Sequence, residues 1–403
     1  MKNTNSSQLC LPGEIVDDIL LCLPAKSLLR FKLVSKPWNS LISGPNFAQS
    51  HLNRSNTLIS QGERCGNLLR LGQISISKRK HRPDGQGPRP SLSLDSMDAD
   101  GSHREVVTID LGLQRYSNRP SILGSCNGLL LVLVNRVDFF LLNPLTRQYK
   151  KISPVRLHGG DRLISGLGYE STSGNYKGII ATHSHGGPSS PHIIYDYVYD
   201  YKLNNWKRRR EFHYGVKYDD SAVMVNGIPH WCVYRQRIQP LEEAADGEGY
   251  VSYDLIVYVD LKTEEVKEVE LPLWAATGEK RFNLGVLGGC LCMSLDPRGS
   301  STSIEVWAMK EYGIAESWTK LFAINSSFFR QLLLRPICFT GTGRNKVLMQ
   351  GTYGGKIIIF NLKEELEKLL ALYKYGSTVC TYVGSLVFPE EEVGNEAIAQ
   401  GID

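Results

Sequence analysis

The chain has 403 residues, of which 42% are hydrophobic and 22% are charged, and its formal net charge is +5. This composition is ordinary for a globular protein, and the length suits a small module joined to a larger one. The charge is too mild for a concentrated basic face, so we expect no nucleic-acid partner. No apolar run reaches the roughly 18 residues that cross a membrane, so we expect no membrane partner.

The cysteines and the first ten residues indicate the cellular compartment of the protein. The nine cysteines are an odd, scattered set, which fits reduced thiols better than a disulfide framework. The first ten residues contain no apolar core of a signal peptide. We therefore expect a protein of the cytoplasm, the nucleus or both.

Residues 9–50 predict a small helical module. Two steps, Leu11-Pro12 and Leu23-Pro24, each open a leucine-rich helix, because a first helical turn tolerates the missing N–H of proline. The apolar residues that follow recur at spacings of three and four and predict one broad stripe: Ile15, Val16, Ile19, Leu20 and Leu23. So short a segment rarely sustains a core alone, so we expect a partner protein to cover its apolar surface.

This segment resembles an F-box, the motif that attaches substrate receptors to the Skp-type adaptor of Skp–cullin–F-box ubiquitin ligases. The matching residues cover the whole motif: Leu11, Pro12, Glu14, Ile19, Leu20, Leu23, Pro24, Leu28, Arg30, Val34, Lys36, Trp38, Leu41, Pro45 and Phe47. Gly13 and Ser35 depart from the usual pattern without removing an apolar anchor. The alternative interpretation is an ordinary helical subdomain packed on its own chain.

The resemblance implies a set of adaptor contacts. The expected contact residues are the apolar anchors of the motif and their helical neighbours: Leu11, Pro12, Ile15, Ile19, Leu20, Leu23, Pro24, Leu28, Val34 and Trp38. Through the adaptor, the chain would also join the cullin and RING subunits.

Beyond residue 50 the pattern changes to short apolar runs broken by Gly, Asn, Asp and Pro, which is typical of antiparallel strands. The runs recur as a strand, a polar turn and a second strand. The turn markers lie 57, 60, 50 and 51 residues apart: Asn143, Asp200, Asp260, Lys310 and Asn361. A period near 50 predicts propeller blades, because only stacking around a ring buries both faces of each sheet. An earlier, irregular unit at 57–111 brings the count to six.

Two local features refine this prediction. Asn226-Gly227 indicates a tight hairpin, since both residues tolerate the positive φ of a type I′ turn. Residues 363–372 are rich in helix formers, but their position in the repeat predicts a hairpin arm, and we favour the hairpin. The predicted fold is mainly β with a small N-terminal α module: a three-helix F-box followed by a β-propeller-like domain of about six blades.

The same segments resemble the F-box-associated domain of the large plant F-box family, which is often found with kelch repeats. The matching elements occur in family order: Ser125-Cys126-Asn127-Gly128-Leu129, Asn143-Pro144-Leu145-Thr146, Gly166-x-Gly168-Tyr169, Val225-Asn226-Gly227, Leu287-Gly288-Gly289 and Ile304-Glu305-Val306-Trp307. The resemblance implies that this domain recognises the protein to be ubiquitinated. It divides the chain into a disordered start (1–8), the F-box (9–50), the recognition domain (51–388) and a disordered tail (389–403).

Catalytic motifs are missing from the sequence. It contains neither Gly-x-Ser-x-Gly nor a GxxxxGK[ST] phosphate loop. Cys290 and Cys292 read better as buried thiols than as half of a zinc site, and His183 and His185 as part of a solvated loop. We expect a non-catalytic receptor without cofactors. The alternatives are a regulatory F-box protein that degrades nothing, and an enzymatic or small-ligand-binding propeller.

The site for the protein substrate stays unknown at this stage. Long loops on a rigid ring are the candidates, at 79–104, 183–192 and 235–250. Basic clusters at 78–82 and 207–210 could be nuclear import signals, or simply a solvated loop and a blade edge. The tryptophans at 206, 231, 307 and 318 are expected to pack between blades.

Overall fold

The structure is a computed structural model. It describes residues 12–61, 69–78, 90–99, 101, 103–113, 120–157, 162–184, 193–209, 212–216, 220–240, 248–276, 282–295, 303–325, 334–340, 342–351, 356–364, 366–372 and 379–389. The predicted disordered ends, 1–8 and 389–403, lie outside these residues except for Pro389.

Four helices open the described chain: α1 (Gly13–Leu21), α2 (Ala25–Phe31), α3 (Lys36–Ser43) and α4 (Pro45–Ser60). Pro12 and Pro24 are the N-caps of α1 and α2, one position before the predicted first turn. The hydroxyl of Ser35 caps α3 by accepting the backbone N–H of Trp38 at 3.3 Å. In the described chain, the propeller adds only the short helix α5 (Leu273–Ala276) and two 3₁₀ turns.

The remaining elements form six antiparallel sheets, which confirms a six-bladed propeller. Blade 1 contains β1 (Leu69–Lys78), β2 (Pro90–Asp98), β3 (Arg104–Ile109) and the last strand, β26 (Val379–Val383); blade 2 contains β4 (Ser121–Cys126), β5 (Leu129–Val134), β6 (Asp138–Leu142) and β7 (Tyr149–Ile152); blade 3 contains β8 (Arg162–Glu170), β9 (Asn175–Ser184), β10 (Ile193–Asp200), β11 (Asn205–Arg209) and β13 (Asp220–Ser221).

The other three blades follow in chain order. Blade 4 contains β12 (Gly215–Val216), β14 (Val223–Val225), β15 (Ile228–Pro240), β16 (Glu248–Val259) and β17 (Val266–Val269); blade 5 contains β18 (Phe282–Leu287), β19 (Cys290–Leu295), β20 (Ser303–Met309) and β21 (Trp318–Asn325); blade 6 contains β22 (Leu334–Thr340), β23 (Lys346–Gly351), β24 (Lys356–Asn361) and β25 (Leu366–Leu372). The helix formers of 363–372 therefore lie in a hairpin, as predicted.

The ring closes through β26. This strand, from the C-terminal end of the described chain, pairs antiparallel with β1, so that Leu71 faces Thr381 across the ladder. Blade 1 is thus built from both ends of the propeller sequence. Closure pairs the inner side of β1 and joins the two ends of the domain through backbone hydrogen bonds.

The polar turn markers hold the outer hairpin of most blades. In blade 2 the Asn143 side-chain oxygen accepts the N–H groups of Leu145 and Thr146 at 2.9 and 3.1 Å. Asp260 in blade 4 and Asn361 in blade 6 do the same two and three residues ahead. In such an Asx turn, the side-chain oxygen accepts N–H groups of its own turn, so no residue from elsewhere in the chain is needed. This explains why Asn or Asp recurs at the turn. At Lys310, in blade 5, the hydroxyl of Ser317 supplies the turn contacts instead.

The core lies between neighbouring blades, as a stacked ring requires. Trp231 and Trp318 are buried there, while Trp206 and Trp307 are half-buried. The indole of Trp231 donates to the carbonyl of Ser165 in the next blade at 3.0 Å. Asn226 and Gly227 both have positive φ, at 53° and 78°, as the predicted type I′ turn requires.

His230 is buried in blade 4 and is held neutral. Its Nδ1 donates to the carbonyl of Ile228 at 2.9 Å, and its Nε2 accepts the hydroxyl of Tyr312 at 2.7 Å. Burial lowers the pKa of His230 to about 4. The unfolded chain therefore takes up a proton near pH 6.5 that the folded chain takes up only near pH 4.

We predict that stability falls as the pH drops from 6.5 towards 4, and that His230→Gln makes this fall shallower. One proton of difference is worth up to about 1.4 kcal/mol per pH unit. Urea unfolding at pH 6 and pH 5 measures it. His213→Gln, at an exposed position, is the control and should keep the wild-type slope. Asp260 titrates below this window, because hydrogen bonds from Lys267 and the backbone hold its pKa at about 2. An unchanged slope in His230→Gln contradicts the assignment.

Candidate functional site

The four helices pack around one small core. Leu20 and Leu28 are fully buried in it, with 1% and 0% of their surface exposed. Ile42 and Phe47, from α3 and α4, complete its centre. His51 of α4 is also buried, and one ring nitrogen lies 2.8 Å from the carbonyl of Leu23, just beyond α1. Burial lowers the pKa of His51, so the ring is held neutral against α1.

An apolar patch remains on the outside of this module. Ile15 and Ile19 lie one turn apart on α1 and are 46% and 48% exposed. Val34, in the turn between α2 and α3, is 62% exposed. Pro12 and Pro24 are exposed at the two helix starts. We call these five residues the outer face.

The predicted contact residues therefore divide into two groups. Leu20 and Leu28, which were expected on the docking surface, are buried in the module's own core in this structure. The physical reason is that the apolar stripe of α1 is wide enough to face two ways, and its inner side packs on α4. Leu23 and Trp38 are half-buried between core and surface. Leu11 lies outside the described residues. That the outer-face residues contact the adaptor stays a prediction.

Leu33, which was not among the predicted contact residues, is 88% exposed beside Val34. Helical periodicity could not reveal it, because it lies in the turn that ends α2. The nearby pair of Phe31 and Trp38, with ring centres 5.6 Å apart, fixes this turn against α3. A leucine placed in a turn between two apolar helices was the available signal.

The opposite side of the helical module rests on the propeller through residues 384–389. Leu386 is buried in the helical core, and Leu145 of blade 2 packs against the same cluster. The chain runs directly from β26 into this segment, so the strand that closes the ring also leads into the support of the helices. The turn at Gly128 lies close by: a Cβ built there would meet Ser385 at 2.3 Å, so only glycine fits.

Asn143 fastens this segment to blade 2. Its side-chain amide donates to the carbonyls of Ser385 and Val387 at 2.9 and 2.8 Å, while its oxygen holds its own turn. The side chain is fully buried. An aspartate could hold the turn, as Asp260 does, but could not donate to the two carbonyls.

Charged groups add a second link between the module and blade 1. Lys26 of α2 lies 2.9 Å from a carboxylate oxygen of Glu105 and 3.4 Å from a ring nitrogen of His103. Arg70 pairs with Asp98 at 2.9 Å and lies 3.7 Å from Glu105. Burial alone would raise the pKa of Glu105, but the hydrogen bond from Lys26 and the two cations outweigh burial and hold it below its usual value. The Lys26–Glu105 pair is partly exposed. We therefore expect it to orient the helical module on blade 1 more than to stabilise the fold.

The module also covers part of one face of the ring. A Cβ built at Gly289, in the first turn of blade 5, would lie 3.0 Å from Ser60 of α4. Arg344, in the first turn of blade 6, donates to the carbonyl of Gln61. Turns of an antiparallel blade alternate between the two faces of the ring. The connections β1–β2, β9–β10 and β15–β16 therefore join strand ends on the face away from the helices.

The candidate substrate loops 79–104, 183–192 and 235–250 include these connections, but residues 90–98, 235–240 and 248–250 of those ranges belong to β2, β15 and β16. Their central residues, 79–89, 185–192 and 241–247, lie outside the described residues, and so does His185. Two members of the basic cluster 207–210 form ion pairs: Arg209 pairs with Asp196 in the interior at 3.1 Å, and Lys207 pairs with Glu264 at 3.1 Å; residue 210 lies outside the described residues. This favours a structural role over a linear import signal. In the cluster 78–82, no side chain belongs to the described part.

Other candidate chemistry is sparse. Cys292 is buried and Cys290 half-buried, both with free thiols, as predicted. Within the described ranges, no three His, Cys, Asp or Glu side chains converge as a metal site would require. In the same ranges no helix is long and apolar enough to cross a bilayer.

Comparison with known families agrees with this architecture. An F-box domain model matches residues 8–50, and a model of the F-box associated beta propeller domain matches residues 93–388. The second match covers most of the chain. The protein therefore belongs to the family of F-box proteins that carry an F-box associated β-propeller.

The relatives are plant proteins. The F-box protein CPR1 of Arabidopsis thaliana is 30% identical over 88% of this chain and 83% of its own length. An F-box/kelch-repeat protein of the same plant is 27% identical over 78% of this chain and 79% of its own length. Among solved structures, an oligogalacturonate lyase matches with a TM-score of 0.35 at 11% identity, over 75% of this chain and 78% of that one. So weak a likeness supports no functional comparison.

We predict that Asn143→Asp loosens the helical module from the propeller. The carboxylate can hold the turn but faces two carbonyl oxygens without a proton to donate, at a cost of about 2–4 kcal/mol. Urea unfolding gives the loss in stability, and limited proteolysis shows whether the chain opens between residues 61 and 69. Asn361→Asp is the matched control: its oxygen makes the same turn contacts, so it should change stability by less than about 0.5 kcal/mol. Equal effects of the two substitutions contradict the role of the amide.

Proposed function

We propose that this protein is the substrate receptor of a Skp–cullin–F-box ubiquitin ligase. The outer face binds a Skp-type adaptor, and the propeller binds a protein that is to be ubiquitinated and degraded. The observation that carries the proposal is the orientation of the helical module: its inner side rests on the propeller, while Ile15, Ile19 and Val34 stay exposed.

The outer face has the chemistry of a protein interface. Full burial of an isoleucine side chain is worth about 1.5–3 kcal/mol relative to exposure. Ile15 and Ile19 still expose close to half of their surface, so a partner that covers them gains a substantial part of this energy. A standard interface buries about 800 Å² on each partner, which three short helices can supply. A few such anchors usually dominate binding.

The proposed mechanism is proximity. The ubiquitin-transfer chemistry resides on other subunits, recruited through the adaptor, cullin and RING proteins. The propeller holds the substrate near the activated ubiquitin and so raises its effective concentration. Because α4 contacts the turns at Gly289 and Arg344 on one face of the ring, we assign the substrate to the opposite face. We place this activity in the cytoplasm, the nucleus or both.

A regulatory F-box protein would bind the adaptor in the same way but turn over no substrate. Purification of the full chain under proteasome inhibition separates the two. Adaptor together with an enriched ubiquitinated protein supports the receptor, whereas adaptor alone supports the regulatory form.

We predict that the double substitution Ile15→Asp with Ile19→Asp weakens adaptor binding at least about 100-fold, because two charges replace two apolar anchors. Both side chains are exposed on α1, so the module should stay folded. Titration calorimetry with the purified adaptor measures the affinity, and circular dichroism checks the helices. Leu203→Asp, on an exposed turn of blade 3, is the control and should bind normally.

Wild-type affinity in the double variant contradicts the docking surface. Leu20→Asp is a poor test of docking, because a charge at this buried position would unfold the module itself.

A further inference from the structure

A cavity of about 470 Å³ opens at the centre of the ring, on the side of the helices. The inner strands of several blades form its wall, among them β4, β14, β18, β22 and β26. The last turns of α4 contribute Thr57 and Ile59 to its rim. Its volume falls within the range of about 300–1,000 Å³ that is usual for small-molecule sites. The outer face takes no part in it.

Somewhat more than half of the lining is apolar. Val225, Val286, Ile337 and Ile59 contribute aliphatic surface, as do several other side chains of the inner strands. Polar residues make up much of the remaining wall, among them Gln350, Asn127 and Thr381. An apolar wall with few oriented polar groups is the usual chemistry of a ligand pocket.

Arg335 gives the cavity its charge. Among the described residues that line the cavity, it is the one charged side chain. Its guanidinium reaches from blade 6 to the carbonyl of Ala222, ahead of the inner strand of blade 4, at 3.5 Å. Gln350 faces Arg335 directly across the β22–β23 ladder, so the two side chains share one side of the sheet.

The thiols in the wall do not offset this charge. Burial raises the pKa of Cys126 and of Cys380 to about 12, so both are neutral near pH 7. Electrostatic attraction between the guanidinium and an anion draws an anionic ligand towards this part of the wall. A guanidinium beside a primary amide is well suited to a carboxylate, since both can donate hydrogen bonds to its oxygens.

We propose that the central cavity is a binding site for a small apolar molecule that carries a carboxylate. The apolar body lies against the aliphatic wall, and the carboxylate accepts hydrogen bonds from Arg335 and Gln350. This site is separate from the outer face, so it stands or falls independently of adaptor binding.

A pair of matched probes tests the proposal on the full-length protein: 2-naphthoate and its uncharged analogue, 2-naphthamide. Fluorescence titration should show that the wild type binds the carboxylate about tenfold more tightly than the amide, as a charge-assisted hydrogen bond requires. Arg335→Gln should abolish this preference and leave amide binding unchanged. Arg147→Gln, at an exposed turn of blade 2, should keep it. Adaptor capture by Arg335→Gln should equal that of the wild type.

Two further variants guard against misfolding at Arg335. Arg335→Lys keeps the cation and should retain a carboxylate preference. Thr57→Trp adds bulk from the exposed surface of α4 into the cavity and should weaken both probes at least tenfold. The proposal is overturned if neither probe binds the wild type saturably at millimolar concentration. It is equally overturned if Arg335→Gln keeps the preference, or if Thr57→Trp leaves both affinities unchanged.

Discussion

The arrangement of the whole molecule depends on six residues, 384–389. They continue the strand that closes the ring and then run beneath the helices, where Leu386 enters the helical core. Asn143 holds their carbonyls from blade 2, across a separation of 242 residues in sequence for Ser385. One continuous segment, from β26 to residue 389, therefore both closes the propeller and supports the helices. The proposed function gains from such coupling, because a rigid link between the adaptor and the substrate raises the effective concentration of one at the other.

The helical module resolves a conflict between stability and binding. Four helices with a core as small as this one are marginal alone, and much of their apolar surface needs cover. The propeller and residues 384–389 supply that cover on the inner side, which leaves the outer face free without unfolding the module. The apolar stripe of α1 is wide because it serves both sides: Leu20 faces inward and Ile19 outward.

Much of the fold could be predicted from local chemistry. Asx turns at Asn143, Asp260 and Asn361 repeat because these blades need the same bend, so the period followed from the turn residues, whereas the count of six also depended on the irregular unit at 57–111. The exposed side of the helices, which we propose as the docking surface, was only partly predictable. Periodicity marks Leu20 and Ile19 alike as apolar, and only packing against α4 tells them apart. The role of the Asn143 amide was invisible, since Asn143 and Asn361 have the same local pattern and differ only in a contact made far along the chain.

Hydrogen exchange of the full-length protein, with and without a purified Skp-type adaptor, tests the account most directly. We predict that the adaptor slows exchange in α1 and in the turn at residues 32–35, while α4 and residues 384–389 exchange as in the free protein. Faster exchange in α4 and 384–389 on binding would mean that the helices leave the propeller to meet the adaptor. Protection confined to the blades would mean that the outer face is not the docking surface. Either result contradicts the claim that the helical module packs on the propeller with one side and binds the adaptor with the other.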